Sequence, residues 1–130
     1  MIVDTSALVA ILYGEPEAER FLAHLYDADI RRISAANYVE LFIVLERQFG
    51  PAMAREAEAL LKAAEIVIEP VTAEQATLAR RAFLAFGRGR HKAGLNYGDC
   101  FSYALARALD EPLLYKGDDF GLTDIGVAAR

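Results

Sequence analysis

The spacing of apolar and polar positions changes several times along the chain. Met1–Val3 is short, apolar and β-prone, and Asp4 ends it. Thr5 and Ser6 follow, then Ala7–Leu12 repeats at helical spacing until Gly14, so the start reads strand, turn, helix. Pro16 suits the first position of a second helix, with Ala18, Phe21, Leu22 and Leu25 on one face. A short β pattern covers Arg31–Ile33. Ser34 is placed to N-cap a helix over Ala35–Phe49, which Gly50-Pro51 terminates. A helix rich in alanine and glutamate spans Ala52–Ala64. Glu65–Val71 reads as a strand that ends at Pro70, and Thr72 caps a helix from Ala73 to about Phe86. Gly87–Asn96 is glycine-rich and reads as a loop. Asp99 opens a helix to Leu109, Pro112–Tyr115 is a strand, and Gly117 turns the chain into Asp118-Asp119-Phe120. Thr123–Ala128 is expected as a short edge strand.

Strands alternate with helices throughout, which predicts an α/β fold with a mostly parallel sheet. No repeat, linker or low-complexity tract interrupts the pattern, so residues 1–130 are expected to form one domain. At 55% hydrophobic residues the chain can bury a core and is not of the disordered class. No apolar run is long enough to span a bilayer. The N-terminus has no basic segment before its apolar stretch and carries Asp4 within it, unlike a signal peptide. A lone cysteine, Cys100, excludes an internal disulfide; together these features predict a soluble protein of the reducing cytoplasm.

A net charge of -5 argues against a nucleic-acid partner until its distribution is considered. Arg80, Arg81, Arg88, Arg90 and Lys92 fall in one stretch that contains no acid, a candidate contact for an RNA backbone. Gly87 and Gly89 would let that loop conform to phosphates. The alternative is a solvated helix end and a flexible loop.

The acids are the more informative charges. Glu40 is the only charge in Tyr38–Leu45, a helical stretch apolar nearly all round and therefore expected to be buried. It either meets an arginine or serves a purpose that needs a carboxylate there. Asp4 ends the first strand, where ligands of open parallel sheets bind, though it could equally cap the next helix. Asp99 starts an apolar helix and could likewise be only a cap. Asp118 and Asp119 follow a strand and could be plain turn residues. Converged on one sheet edge, these acids would repel one another, and a divalent cation would remove the conflict. Oxygen ligands favour Mg²⁺, with Mn²⁺ able to substitute, and His24 and His91 are too far apart in sequence to suggest zinc. Such a metal suits phosphoryl chemistry.

The segments MIVDTSALVAIL, SAANYVELFIVLE, GLNYGDCFSYALA and LLYKGDDFGLTDI stand in an order that resembles the PIN-domain ribonucleases, specifically VapC-type toxins of toxin–antitoxin pairs. The resemblance spans nearly the whole chain. It implies a three-layer α/β/α sandwich around a parallel sheet. Asp4, Glu40 and Asp99 match the family's metal-binding acids; the fourth falls on Asp119 or, next in line, Asp118. Thr5 and Ser6 match a supporting polar pair. The implied activity is Mg²⁺-dependent endoribonuclease cleavage by an activated water, leaving a 5′-phosphate and a 3′-hydroxyl. A homodimer and a small antitoxin near the active site are also implied. Leu8, Ile11, Leu12, Phe21 and Leu22 are candidates for a groove that takes an antitoxin helix.

Three other readings stand beside this one. An aspartyl-nucleophile phosphatase needs a second aspartate two residues after the first, where Ser6 stands. A receiver-like domain has a different order of acids. A catalytically inactive PIN-like module binding RNA or protein would be favoured by loss of a core acid, and none is missing.

Overall fold

The computed structural model describes residues 1–129. Its strands are β1 (Ile2–Val3), β2 (Arg31–Ser34), β3 (Ile66–Glu69), β4 (Leu113–Leu114) and β5 (Val127–Ala129). Its helices are α1 (Thr5–Leu12), α2 (Ala18–Asp27), α3 (Ala35–Phe49), α4 (Pro51–Ala63), α5 (Ala73–Phe86) and α6 (Tyr97–Leu109), with a 3₁₀ turn at Phe120–Leu122. The strands form one sheet in the order β3-β2-β1-β4-β5, and every pairing is parallel.

Alternation along the central strands builds two cores. Val3, Ile33 and Leu114 join Leu8, Phe21, Leu25, Leu41, Leu45 and Ala57 in a cluster shared with α1–α4. Ile2 and Leu113 face the other way, into a cluster with Ala79 and Ala82 of α5 and Cys100, Tyr103 and Leu105 of α6. The period-two geometry of a strand thus sends neighbouring residues into opposite layers. The result is the expected three-layer α/β/α sandwich. Among the described residues, no helix is long and apolar enough to cross a membrane.

Local physics shifts several expected boundaries. α1 starts at Thr5, because the Asp4 side chain accepts a hydrogen bond from the Ser6 amide and acts as N-cap. Pro16 lies in the turn before α2 rather than inside it. α6 starts at Tyr97 with Asn96 as its N-cap, so Asp99 is the third helical residue and not the first. Gly87 is not a flexible hinge: it is extended and buried, and a Cβ there would lie 2.3 Å from the Phe83 carbonyl oxygen. The segment after it is a compact loop. Arg88 donates to the Leu95 carbonyl and Leu95 to that of Phe86, both at 2.9 Å.

Two burial expectations are corrected. Leu8 and Phe21 are wholly inside the core and cannot line a surface groove, whereas Ile11, Leu12 and Leu22 are half-buried against it. Conversely, α3 is not buried all round. Leu41 and Leu45 face the core, but Val39 and Ile43 are exposed, at 54% and 50%.

Candidate active site

The strand order reverses between β1 and β4, since the chain fills one side of β1 with β2 and β3 before returning to its other side. In open α/β sheets, ligands bind at the carboxyl edge beside such a reversal. Asp4 leaves β1 at that edge, with its amide bonded to the Leu114 carbonyl of β4 at 2.9 Å. Asp4 is 3% exposed. Its Oδ2 accepts from the Ser6 amide at 3.0 Å and the Ser6 hydroxyl at 2.6 Å, and its Oδ1 from the Ser102 hydroxyl of α6 at 2.5 Å. Ser6 Oγ also accepts the Lys116 amide at 2.9 Å, so one hydroxyl ties the exit of β4 to this carboxylate.

Glu40 arrives from α3. Its Oε1 accepts from Thr5 Oγ1 at 2.6 Å and from Asn37 Nδ2 at 3.2 Å. The same Asn37 amide donates to the Gly98 carbonyl of α6 at 2.9 Å. Gly98 makes room for the glutamate, because a Cβ there would stand 1.9 Å from Glu40 Oε2. No donor among the described residues reaches Oε2.

Asp99 lies one residue beyond Gly98. Its Oδ2 accepts the Asn96 amide at 3.0 Å while Asn96 Oδ1 accepts the Asp99 amide at 2.9 Å, a reciprocal capping box. Its carboxyl is pushed up from an ordinary value of 3.8 to about 7. Burial is the largest cause and the Asp4 charge the next; the charges of Glu40 and Asp119 add to these, and the Asn96 bond opposes them. Asp4, Glu40 and Asp119 are therefore each within electrostatic reach of Asp99. Asp119 precedes the 3₁₀ turn, and its charge, unlike that of Asp118, acts on Asp99.

No cation answers this charge. None of the ion pairs among the described residues includes Asp4, Glu40, Asp99 or Asp119. Lys116, close in sequence, is held by Glu15 and by Glu17, the latter at 3.3 Å. Among the described residues, Glu40 meets no arginine.

Arg80, Arg81, Arg88, Arg90 and Lys92 are all exposed, on the end of α5 and on the loop that leads to Asn96 and Asp99. Their stretch thus precedes, along the chain, the helix that carries Asp99. Beside Glu40 lies a groove of about 340 Å³ whose lining includes Val39, Ile43, Tyr97, Gly98 and Phe101. Tyr97 is 80% exposed there.

Comparison with known proteins gives the family. The family model described as the PIN domain matches residues 1–125. The chain belongs to the PIN-domain family. It falls in the VapC group: it is 55% identical to "Ribonuclease VapC28" of Mycobacterium tuberculosis over 96% of this chain and 95% of that protein. It is 50% identical to "Ribonuclease VapC" of Mycolicibacterium smegmatis over 96% and 97% of the two chains. Among solved structures it is similar to M. tuberculosis VapC20, described as a sarcin-ricin loop cleaving toxin, with a TM-score of 0.79 at 22% identity over 99% and 98% of the two chains. That likeness carries the fold.

In this PIN domain, two side chains at the site carry no sequence expectation: Asn37 and Ser102, both fully buried. Their signal is spacing. Asn37 precedes Glu40 by three positions and Ser102 follows Asp99 by three, so each shares a helix face with an acid.

The Asp99 shift has a definite sign. Between about pH 4 and 7 the metal-free native state holds a proton on Asp99 that the unfolded chain has lost, so this group's contribution to stability falls as pH rises through that window. Urea titrations of wild type and Asp99→Asn should show the wild type losing stability relative to the variant from pH 4 to 7. Parallel curves would mean that Asp99 titrates normally.

Proposed function

We propose that this chain is a divalent-metal-dependent endoribonuclease acting as the toxin of a toxin–antitoxin pair in the cytoplasm. The observation that carries this reading is the gathering of Asp4, Glu40, Asp99 and Asp119 without a cation, around a carboxyl pushed up to about 7. Names of relatives such as "Ribonuclease VapC28" support the same reaction class.

The donor set fits a hard cation, Mg²⁺ with Mn²⁺ as substitute: it offers carboxylate oxygens and no thiolate or imidazole. Among the described residues, no three His, Cys, Asp or Glu side chains stand grouped to hold an ion by themselves. Mg²⁺ takes one or two carboxylates and keeps several waters. Asp4 and Asp99 would hold it, with Glu40 and Asp119 (Asp118 next in line) accepting hydrogen bonds from its waters or joining a second ion. When bound, the ion lowers the pKa of water and neutralises phosphate charge.

The residues then divide the work. Thr5 and Ser6 fix Glu40 and Asp4 by hydrogen bonds and keep their oxygens directed. The carboxylates orient the attacking water in line with the scissile phosphodiester, leaving a 5′-phosphate and a 3′-hydroxyl. Arg80, Arg81, Arg88, Arg90 and Lys92 hold the RNA backbone, and single-stranded or looped RNA can conform to them. The exposed apolar face of Val39, Ile43 and Tyr97 supports a homodimer. A small antitoxin would bind near the carboxylates, and "Toxin-antitoxin complex from Klebsiella pneumoniae", with a TM-score of 0.69 at 16% identity, has the same fold.

Purified protein should cut a mixed bacterial RNA pool with Mg²⁺ and not with EDTA. Asp4→Asn and Asp99→Asn, if folded, should lose about 10²–10³-fold in rate, the size of removing one preorganised electrostatic group. Full activity in either folded variant would sink the assignment, and no cleavage by folded, metal-loaded wild type would point to an inactive binding module.

RNA affinity should fall steeply with salt, and Arg88→Ala/Arg90→Ala should make the log–log slope shallower by about 0.7 per lost phosphate contact on single strands. An unchanged slope would remove the loop from the RNA interface. Ile43→Asp should convert a dimer to a monomer in light scattering with little loss of fold. A dimer that survives the change would place the interface elsewhere.

A further inference from the structure

Between the carboxylates lie two polar side chains that touch no solvent, Asn37 on α3 and Ser102 on α6. We propose that Asn37 and Ser102 are a positioning pair that sets the spacing and direction of Asp4 and Glu40, so that the oxygens offered to a divalent cation are arranged before it arrives. The proposal rests on the reading of the site as a metal centre.

Hydrogen-bond polarity fixes the pair. Asn37 Nδ2 lies 3.2 Å from Glu40 Oε1 and 2.9 Å from the Gly98 carbonyl oxygen, and both of these can only accept. Turning the amide over would set its oxygen against two acceptors, so the orientation has one solution. Asn37 Oδ1 therefore faces Ser102 Oγ, 3.1 Å away, and that hydroxyl spends its single proton on the nearer acceptor, Asp4 Oδ1 at 2.5 Å. Ser102 thus grips Asp4 while Asn37 grips Glu40, and the two side chains meet between the end of β1, α6 and α3.

The hydrogen bonds around the two carboxylates also decide which oxygens stay free. Asp4 Oδ2 is taken twice by Ser6 and Oδ1 once by Ser102. Glu40 Oε1 is taken by Thr5 and Asn37, which leaves Oε2 without a donor. Each carboxylate is gripped from the protein side and keeps accepting capacity.

Stability alone does not call for such a pair. Replacing both partners of a buried hydrogen bond by apolar groups of similar shape is often nearly neutral. What an apolar pair cannot do is direct a carboxylate. Outer hydrogen-bond partners of metal ligands orient them, and their loss commonly weakens binding 10–100-fold.

The test measures Mn²⁺ binding by calorimetry, well below each protein's melting temperature, with metal-free melting and the kcat and KM for an RNA oligonucleotide alongside. Ser102→Ala and Asn37→Leu should each weaken Mn²⁺ about 10–100-fold. They should also lower kcat while leaving KM for RNA unchanged. If Ser102→Ala does not fold, Ser102→Cys, similar in volume and weaker as a donor, carries the same expectation. Mn²⁺ affinity within twofold of wild type, with only the melting temperature lowered, would overturn the positioning role. Asp4→Asn separates the two levels. If wild type binds no Mn²⁺, or Asp4→Asn binds it as tightly as wild type, the metal-centre reading fails and the inference with it. If Asp4→Asn loses binding while Ser102→Ala and Asn37→Leu keep it, only the inference fails.

Discussion

Carboxylates held close together without a counter-cation are the constraint on which this molecule's architecture turns. Repulsion between neighbouring like charges, of which Asp4 is buried, opposes folding, and no ion pair among the described residues relieves it. The surroundings respond in two ways. Hydroxyls and amides of Thr5, Ser6, Asn37 and Ser102 hold individual oxygens. Asp99 answers by retaining its proton near neutrality. The proposed divalent cation would relieve this conflict.

Topology makes the gathering possible. Four chain segments far apart in sequence must deliver acids to one edge, and the reversal at β1 and β4 opens the crevice they share. The two-residue strands β1 and β4 are too short to be held by their own ladder. They are fixed instead by burial on both faces, Val3 and Leu114 into one core and Ile2 and Leu113 into the other. The close approach of α3 to α6 is permitted by Gly98, where any larger residue would collide with Glu40. Helix packing and site geometry are thus one problem solved at one glycine.

Much of this was legible in the sequence, for physical reasons that can be stated. The alternation of strands and helices, and the caps at Ser34 and Thr72, are local signals and appear in the structure. The isolated acids Asp4, Glu40 and Asp99 stood out against apolar neighbours. Long-range facts were not legible. Val39 and Ile43 look like core from periodicity, yet they face outward, because period alone cannot separate a core face from an apolar surface. Gly87 looks flexible but is a packing glycine, which only the position of the Phe83 carbonyl reveals. Asn37 and Ser102 stand three positions from an acid, but their other partners lie 61 to 98 residues away, which no local pattern reveals.

Asp99 has two occupations. The carboxylate that feels Asp4, Glu40 and Asp119 also closes the first turn of α6 through its bond to the Asn96 amide. Whatever changes the charge in the crevice therefore changes how readily that turn frays. The first turn of one helix and the carboxylate edge thus share a single side chain, and the cap of the one cannot be separated from the charge of the other.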